Sequence, residues 1–380
     1  MHFTPAGFPS GIPGIGDEIE RIIQQTPQPA RHSITLVLIF ILYFVKLHSS
    51  FKTFHFDCLF SVNYFRIDLK TYTEEELYYL SNCRLCPHEC GADRLSGGKG
   101  FCKSDAGFNI SSICIHKGEE PVISGAKGIC NIFFSHCNLQ CIYCQNHTIS
   151  GNKIPVVNRY FTLNEIVDAI CETLEQSENI VGFVSPSHNI MQVIAIIKAL
   201  HRIGKYPVFV YNTNGYDKIS SLQMLEEYIH VYLPDFKYMD SCISMKYSQV
   251  KDYPEAASAA IKEMYCQKGA TLLVNNEGIA ESGIIIRHLI LPGKIEQSIE
   301  VLKYIAEEIS PNIYISLMSQ YYPTPKVMGH PEMSRTIVSD EYDKVLDAFH
   351  RFGLYKGWAQ ELESNSFYRP DFSGNDPFTI

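Results

Sequence analysis

CNLQCIYC, residues 137–144, carries three cysteines, Cys137, Cys141 and Cys144, at the spacing C-x3-C-x2-C. We call this stretch the cysteine loop. The apolar run Ile129–Phe134 precedes it and is predicted to be a buried strand. Thiolates are soft ligands that suit zinc, Cu(I) and iron–sulfur clusters. Zinc and ordinary cubane sites are closed by four protein ligands. Three thiolates would leave one iron of a 4Fe–4S cluster open to a small molecule. The alternatives are a zinc loop or buried thiols.

The composition is that of a globular protein, with 46% hydrophobic residues in a chain of 380. The formal net charge is −9, from 41 acidic and 32 basic residues, and no basic block stands out. A nucleic-acid partner is therefore not expected. The 13 cysteines cluster at short metal-ligand spacings, which fits a reducing compartment better than a disulfide framework. We expect a cytoplasmic protein.

The N-terminal region, residues 1–70, is predicted to be a poorly structured or apolar extension. Its apolar run Ile34–Val45 has twelve residues, short of the ~20 that a membrane helix needs. No small-residue cleavage site follows the run. A start codon assigned too far upstream, a membrane tether and a packed helix are three interpretations, of which we favour the first. We expect residues before Thr71 to be dispensable and expect no membrane association.

A second group of cysteines lies upstream, in a segment that we place at residues 71–128. Thr73 and Glu76 have the spacing of a capping box, which predicts a short helix before the group. The group itself, here called the N-terminal cysteine set, is C-x2-C-P-x2-C followed by one more cysteine after a glycine-rich turn. Four such cysteines can close a zinc site or bind a second iron–sulfur cluster, or can pack without metal. Its members are Cys83, Cys86, Cys90 and Cys102.

Strand-like and helix-like segments alternate after the cysteine loop, which predicts a parallel α/β sheet. The predicted strands are Ile129–Phe134, Ile180–Val184, Val208–Tyr211, His230–Leu233, Ile284–Leu291 and Tyr314–Met318. The predicted helices are Leu163–Gln176, Ile190–Ile203, Ser221–Tyr228, Glu255–Lys268, Ile295–Ile309 and Asp340–Phe352. Six units are two short of a closed eightfold barrel. We therefore expect an open, partial (β/α)6 barrel over residues 129–325, followed by a C-terminal helix and tail at 326–380.

Polar motifs follow the predicted strands, at the ends where parallel sheets bind ligands. They begin with SPSHN at Ser185 and NTNGY at Asn212, and the last is SQY at 319–321. Asp235 and Lys237 share one face of their strand because side chains alternate. The same alternation means that only one of Arg287 and His288 faces the interior of the barrel, and we predict that it is Arg287. Its charge on an apolar strand needs a partner, for which we expect Asp235.

The chain resembles the radical SAM proteins related to pyruvate formate-lyase activating enzyme from Cys83 to about Pro325. The segments that carry the resemblance are CRLCPHECGADR, HKGEEPVISG, IFFSHCNLQCIYCQN, YNTNGY, YLPDFKY, IIIRHLILPG and LMSQYYP. The resemblance implies a radical SAM partial barrel in which the cysteine loop binds a 4Fe–4S cluster. S-adenosylmethionine (SAM) would chelate the open iron and be cleaved reductively.

The other candidate site residues come from the predicted strand ends, and the pattern Asp235-x-Lys237 is also similar to a segment near SAM in the activating enzymes. Lys237 and Arg287 are the candidate catalytic residues, and Arg287 is expected to bind the SAM carboxylate. The family's glycine-rich segment for the SAM amino group is replaced here by Ser185-Pro186-Ser187-His188. The candidate residues for binding the cofactors are Cys137, Cys141, Cys144, Ser185, His188, Asn212, Asp235 and Arg287.

The partners that the resemblance implies are an electron donor, such as flavodoxin or ferredoxin, and a glycyl-radical protein or peptide as substrate. Another peptide or a small molecule is the alternative substrate. A different class of function is a metal-binding module without catalysis, such as a zinc protein or an electron carrier. Such a module has no need for the constellation of Asp235, Lys237 and Arg287.

Overall fold

One sheet of nine strands forms the centre of the part of the chain that the structure describes. That part is residues 68–378 of a computed structural model, without residues 155, 157, 161, 367, 368 and 375. The expectations about residues 1–67 lie outside it. In chain order the strands are β1 (Ile110–His116), β2 (Ile129–Phe134), β3 (Ile180–Val184), β4 (Val208–Thr213), β5 (Val231–Pro234), β6 (Leu273–Val274), β7 (Ala280–Leu289), β8 (Tyr314–Met318) and β9 (Gly357–Ala359).

The strand order is β1-β2-β3-β4-β5-β7-β8-β9, with β6 beside β7. Strands β2 to β9 on this path pair in parallel, and β1 and β6 pair antiparallel with β2 and β7. Parallel pairing brings the carboxyl ends of the strands to one edge. No pairing between β1 and β9 exists among the described residues, so the sheet is open. The predicted α/β class with an open parallel sheet is confirmed.

Helices connect the parallel strands. They are α1 (Glu74–Ser81), α2 (Pro121–Ser124), α3 (His147–Ser150), α4 (Leu163–Leu174), α5 (Ile190–Arg202), α6 (Ile219–Leu225), α7 (Ser241–Ser248), α8 (Tyr253–Lys268), α9 (Ile295–Tyr304) and α10 (Ser339–Arg351). Capping boxes begin α1 and α4, as their sequences predict. None of the helices in this described part has the length and apolar character that a membrane crossing requires.

The sheet is curled around an interior, and one side chain demonstrates it. The Glu119 carboxylate accepts hydrogen bonds from Asn131 on β2, at 2.8 Å, and from the Arg287 guanidinium on β7. Four strand spacings separate β2 from β7, which would be about 19 Å in a flat sheet. A single carboxylate can reach both strands only if they curve toward each other. The architecture is therefore a partial barrel.

The interior of the barrel is apolar at one end and polar at the other. Alternate residues of each strand face inward, and Val210, Val231 and Ile285 pack together in one buried cluster. Farther along the same strands, Asn212 and Arg287 line a cavity. The outward positions of the sheet pack against the helices in a larger core. The apolar floor leaves only the carboxyl edge of the sheet for polar chemistry.

The predicted elements agree closely with the observed ones, and the differences are at the flanks and between β5 and β7. The strands predicted at Ile129–Phe134, Ile180–Val184 and Tyr314–Met318 have the observed bounds. The prediction lacked β1, which lies within the segment 71–128, β6, which lies between β5 and β7, and β9, which lies within 326–380. These three strands extend the predicted set of six to the nine of the sheet, and helix α7 was not predicted either.

Candidate functional site

A cavity of about 460 Å³ opens at the carboxyl edge of the sheet. Its volume is within the range of pockets that hold one small ligand. All three cysteines of the cysteine loop line it, and so do residues from both ends of the sheet. The strand residues among its lining include His116, Phe133, Val184, Asn212, Arg287, Ser316 and Trp358. The cavity is therefore the interior of the barrel mouth.

Amide side chains hold the cysteine loop in place. Asn152 donates to the carbonyl of Cys137 at 2.9 Å, and its side-chain oxygen accepts from the Cys137 amide at 3.3 Å. Asn138 donates to the carbonyl of Tyr216 at 2.7 Å and is fully buried. Gln140 donates to the carbonyl of Ser150 at 3.0 Å. A loop without regular structure needs such partners for its buried polar groups. The loop is consequently fixed before any ligand binds.

Each sulfur of the loop has a polar neighbour within hydrogen-bonding distance. The amide of Asn214 donates to Cys137 Sγ at 3.3 Å, as does the backbone N–H of Leu139. Ser248 Oγ lies 3.0 Å from Cys141 Sγ, and the hydroxyl of Ser150 donates to Cys144 Sγ at 3.3 Å. Hydrogen bonds to ligand sulfurs help to set the properties of iron–sulfur sites. Three thiols with donors aimed at them fit a cluster of thiolate ligands.

The position of Asn214 depends on the glycine that follows it in the turn after β4. Gly215 has φ of +82°, in the left-handed region, and a Cβ there would lie 2.2 Å from the carbonyl oxygen of Asp235. Only glycine fits this turn after β4. The turn also lets Asn214 Oδ1 accept from the Tyr216 amide at 2.9 Å. The NTNG motif therefore brings an amide donor to the cysteine loop, a role that the sequence analysis did not assign.

Asp235 and Lys237 form an ion pair in the cavity wall, with Nζ 2.5 Å from Oδ2. Burial acts to lower the pKa of Lys237, but Asp235 and the nearby thiol of Cys141 outweigh burial and raise the pKa. The ammonium group is thus close to the cysteine loop and stays charged. The predicted shared face of these two residues is confirmed.

Arg287 faces the cavity, whereas His288 faces outward, as the strand alternation predicts. His288 bonds to the carbonyl of Phe236 at 2.7 Å and to Ser298 Oγ on α9 at 2.8 Å. The expected pairing of Arg287 with Asp235 is wrong. The Arg287 guanidinium instead donates to Glu120 at 2.8 and 3.0 Å and to Glu119. Asp235 is already held by Lys237, and two carboxylates before α2 are closer to the guanidinium.

The Glu119–Glu120–Arg287 cluster is buried and carries one net negative charge. The three side chains are only 6%, 4% and 12% exposed. Burial favours protonation of Glu119, but the charges of Arg287 and His116 and the hydrogen bonds from Asn131 and Arg287 together outweigh burial and lower the pKa of Glu119. Burial would likewise lower the pKa of Arg287, but Glu120 and Glu119 raise it. These shifts favour the ionised forms of Glu119 and Arg287, and within the described residues Nη1 of Arg287 makes no hydrogen bond.

Glu119 and Glu120 were not predicted as site residues, although both lie in the segment HKGEEPVISG. The signal was available in Arg287 itself, because a cation on an apolar strand requires an anion nearby. Adjacent glutamates directly before a proline-initiated helix were a candidate pair. Their contact with Arg287 spans 167 residues of chain, so no local pattern could identify it.

The remaining predicted site residues divide into two groups. Ser185 and Asn212 line the cavity, and the Ser185 amide donates to the Asn212 carbonyl at 2.9 Å. Ser185 has φ of +53°, an uncommon conformation for a residue other than glycine. His188 does not line the cavity, contrary to expectation. Its ring donates through Nε2 to the carbonyl of Ser135 at 3.0 Å, within the core.

The N-terminal cysteine set lies away from the cavity lining. Cys83, Cys86 and Cys102 are buried and Cys90 is exposed. Burial raises the pKa of Cys86, and the proximity of Cys102, Cys83 and Cys90 raises it further. Mutual electrostatic effects of this kind require the four thiols to be near one another. They form a group of their own, separate from the cysteine loop.

Arg94 is buried beside this group and has no carboxylate partner in the described part of the chain. Its guanidinium donates to the carbonyls of Asp105, at 2.7 and 3.0 Å, and His188, at 2.7 Å. Cys83 Sγ lies 4.0 Å from Nη1. The side chain is 1% exposed. A buried cation without an anion is energetically unfavourable, so the adjacent thiols are the available source of negative charge.

Neither group of cysteines surrounds a single metal position. Within the described residues, no three His, Cys, Asp or Glu side chains are arranged to hold one metal ion. The ligands of a cubane cluster bind different irons and do not meet at one point. The three thiols that line the cavity are therefore candidate ligands for such a cluster.

The sequence is similar to an uncharacterized protein of Methanocaldococcus jannaschii. The two are 28% identical over 309 residues, which cover 80% of this chain and 84% of the relative. No protein-family model matches the chain.

Among solved structures, the chain is similar to Streptococcus suis SuiB bound to the precursor peptide SuiA, with a TM-score of 0.41 and 14% identity. The match covers 60% of this chain and 47% of SuiB, so the chain spans about half the length of that protein. Methylornithine synthase (PylB) gives a TM-score of 0.43 at 13% identity, covering 70% of this chain and 79% of PylB.

A domain of pyruvate-formate lyase-activating enzyme from Bacteroides vulgatus gives a TM-score of 0.33 at 15% identity, covering 45% of this chain and 93% of the domain.

Proposed function

We propose that this chain is a radical SAM enzyme, with a 4Fe–4S cluster on Cys137, Cys141 and Cys144 and with SAM in the barrel mouth. One observation carries the proposal. Three thiols of a single loop line the same cavity as Asn212 and Lys237 from separate strand ends. A metal-binding module without catalysis would need four ligands and no such cavity.

The residues of the chain would prepare the cavity for a charged ligand. When bound, the cluster would supply the electron that splits SAM into methionine and a 5′-deoxyadenosyl radical able to abstract a hydrogen atom. Lys237 places a positive charge beside Cys141, which favours anionic groups there. Arg287 has Nη1 free of protein hydrogen bonds in the described part of the chain, and this group would contact the SAM carboxylate. The apolar floor would exclude water below the ligand.

The substrate in this proposal is a peptide or protein that enters from the open carboxyl edge. A glycyl-radical partner enzyme is the first candidate, and another peptide or a small molecule is the second. SuiB, which this chain resembles, binds a precursor peptide. A small reductant protein such as flavodoxin or ferredoxin would supply the electron. Cysteines that serve as metal ligands rather than in disulfides are typical of the reducing cytoplasm, where we place the protein.

A second metal at the N-terminal cysteine set is a further part of the proposal. Arg94 supports it, because four thiolates around zinc or an iron–sulfur cluster would provide the negative charge that this buried cation lacks. Binding would require the four sulfurs to close around the metal from their present positions. The position of Arg94, bonded to the carbonyl of His188, would then connect a metal site to the strand-end loop after β3.

The test is anaerobic reconstitution of the full chain with iron and sulfide, followed by reduction and addition of SAM. We expect a brown protein that produces 5′-deoxyadenosine, measured by chromatography. The same chain with Cys137, Cys141 and Cys144 all replaced by Ala should produce none, whereas replacement of the exposed Cys242 by Ala should change nothing. A reconstituted cluster that never cleaves SAM would favour the electron-carrier alternative and contradict the proposal.

A further inference from the structure

Helix α7 ends against the cysteine loop. The backbone amides of Gln140 and Ile142 donate to the carbonyls of Ser248 and Tyr247, at 3.2 and 2.9 Å. These two bonds fix the last turn of the helix on the loop. They place Ser248 Oγ 3.0 Å from Cys141 Sγ. Ser248 is fully buried, so water does not compete for this contact.

Two tyrosines continue the contact away from the sulfur. Tyr238 OH lies 3.0 Å from Ser248 Oγ, and Tyr143 OH makes a short hydrogen bond with Tyr238 OH. Tyr238 is fully buried and Tyr143 is 5% exposed. Cys141, Ser248, Tyr238 and Tyr143 therefore form a continuous chain of hydrogen-bonding groups. One end of the chain is a sulfur of the cysteine loop, and the other is the aromatic residue before Cys144.

The chemistry of a ligand sulfur fixes the direction of these hydrogen bonds. A thiolate bound to iron carries no proton, so the Ser248 hydroxyl must donate to Cys141. Ser248 then accepts from Tyr238, and Tyr238 accepts from Tyr143. Hydrogen bonds in such a chain polarise one another, and the effect is largest in a buried site. The chain therefore directs positive partial charge toward one sulfur.

We propose that Ser248, supported by Tyr238 and Tyr143, is a positioning residue that raises the reduction potential of the cluster through Cys141. This inference rests on the proposed function and assigns roles that it does not contain. A donor to a ligand sulfur favours the reduced cluster, which carries one more negative charge. The donors at the other two sulfurs, Ser150 and Asn214, lie 3.3 Å away. The Ser248 contact is the shortest of the three.

The chain contains a matched control on the same helix. Ser244 is as fully buried as Ser248, and its hydroxyl donates to the carbonyl of Val250 at 2.8 Å rather than to a sulfur. Replacing Ser244 by Ala removes a buried hydroxyl from α7 and leaves the loop contacts in place. Any effect of Ser248→Ala that comes only from a weakened helix should appear in Ser244→Ala as well.

The experiment is a redox titration of the reconstituted full-length protein, followed by electron paramagnetic resonance of the reduced cluster. Ser248→Ala should lower the potential by about 59 mV, which corresponds to a tenfold change for one electron. Tyr238→Phe should shift it in the same direction by less, Ser248→Thr should restore the parent value, and Ser244→Ala should match the parent.

A potential for Ser248→Ala equal to that of the parent would overturn the role of Ser248. If Ser248→Ala does not take up a cluster, Tyr238→Phe decides, and an unchanged potential in that variant overturns the proposal. A parent protein that forms no cluster at all would overturn the proposed function itself, which distinguishes the two failures.

Discussion

The two groups of cysteines in this chain differ in what surrounds their sulfurs. The cysteine loop lines an open cavity, and each of its three sulfurs has a neutral hydrogen-bond donor from Asn214, Ser248 or Ser150. The N-terminal cysteine set does not line this cavity and lies beside a buried cation, Arg94. The cation near the loop, Lys237, is paired with Asp235, whereas Arg94 has no carboxylate partner in the described part of the chain. The surroundings therefore predict a reactive site at the loop and a structural site at the set.

The first way to break this comparison is to replace one cysteine from each group. Cys141→Ala should abolish the visible absorption of the cluster and reduce SAM cleavage to background, because two thiolates do not hold the cluster. Cys86→Ala should leave SAM cleavage measurable, because Cys86 does not line the cavity. Absorption spectra and 5′-deoxyadenosine assays of both variants provide the measurement. Full cleavage by Cys141→Ala would contradict the radical SAM assignment.

The metal content of the N-terminal cysteine set sharpens the comparison further. A chain with Cys137, Cys141 and Cys144 all replaced by Ala should still bind metal at the four cysteines of the N-terminal cysteine set. We expect about one zinc per chain, or iron as a cluster. Elemental analysis of the purified variant measures this. If the protein contains neither zinc nor iron, the set serves only to pack the segment, and Arg94 is stabilised by its carbonyl acceptors alone.

A smaller effect is expected from Arg287→Lys. An ammonium group cannot reproduce the planar contacts of the guanidinium, and Nη1 is the group that we assign to the SAM carboxylate. Loss of a charge-assisted hydrogen bond corresponds to about 1.5–3 kcal/mol, or roughly ten- to hundredfold weaker SAM binding. Equilibrium binding to the reconstituted protein provides the measurement, with the absorption spectrum as a check on the cluster.

The matched control for Arg287→Lys is Arg335→Lys. Arg335 also forms a two-point contact with a carboxylate, Glu341, at 2.7 Å for each bond, but it does not line the cavity. We expect the control to bind SAM like the parent. Equal SAM affinity of Arg287→Lys and the parent would remove Arg287 from the binding site and leave it as the partner of Glu119 and Glu120.

His188 contacts both the N-terminal cysteine set's neighbour Arg94 and the segment before the cysteine loop. Its lowered pKa predicts how the free energy of unfolding depends on pH. Its carbonyl accepts from Arg94, and its ring donates to Ser135, two residues before Cys137. Burial lowers the pKa of His188 to about 3, and its Nδ1 has no partner among the described residues. An unfolded histidine binds a proton near pH 6.5, so the unfolded state binds more protons at lower pH. Stability is therefore highest above pH 6.5 and falls from there toward pH 3.

The expected slope from His188 is about 1.4 kcal/mol of unfolding free energy per pH unit within that range. Urea unfolding of the unloaded protein at several pH values measures it. His188→Gln should flatten the dependence by about one proton, whereas His350→Asn, at an exposed position, should not. An unchanged slope in His188→Gln would show that the ring is protonated in the folded protein.

Local patterns in the sequence predicted the strands and the capping boxes well, because each depends on residues close together in the chain. Apolar runs predicted β2 and β3 with their observed bounds, and Thr73 with Glu76 predicted the start of α1. Strand β9 was missed because three residues, Gly357–Ala359, do not establish a period. The cysteine spacing indicated the centre of the site in the same local way.

Local sequence patterns could not predict contacts between segments that are far apart in the chain. The partner of Arg287 was assigned wrongly because Glu120 is 167 residues away in the chain. His188 was expected at the cavity since it follows a strand, but the turn at Ser185 sends its ring toward Ser135 instead. Ser248 gave no sequence signal, since a serine at the end of a weakly amphipathic helix is ordinary. Its relevance comes from the loop that the helix packs against.

The central claim is that the cysteine loop provides three ligands and leaves one iron for SAM. Electron paramagnetic resonance with hyperfine detection on the reduced protein tests it, with SAM carrying 17O in its carboxylate and 15N in its amino group. We predict hyperfine coupling of both labels to the cluster, which direct chelation requires. A cluster signal that SAM leaves unchanged, with no coupling to either label, would contradict the account.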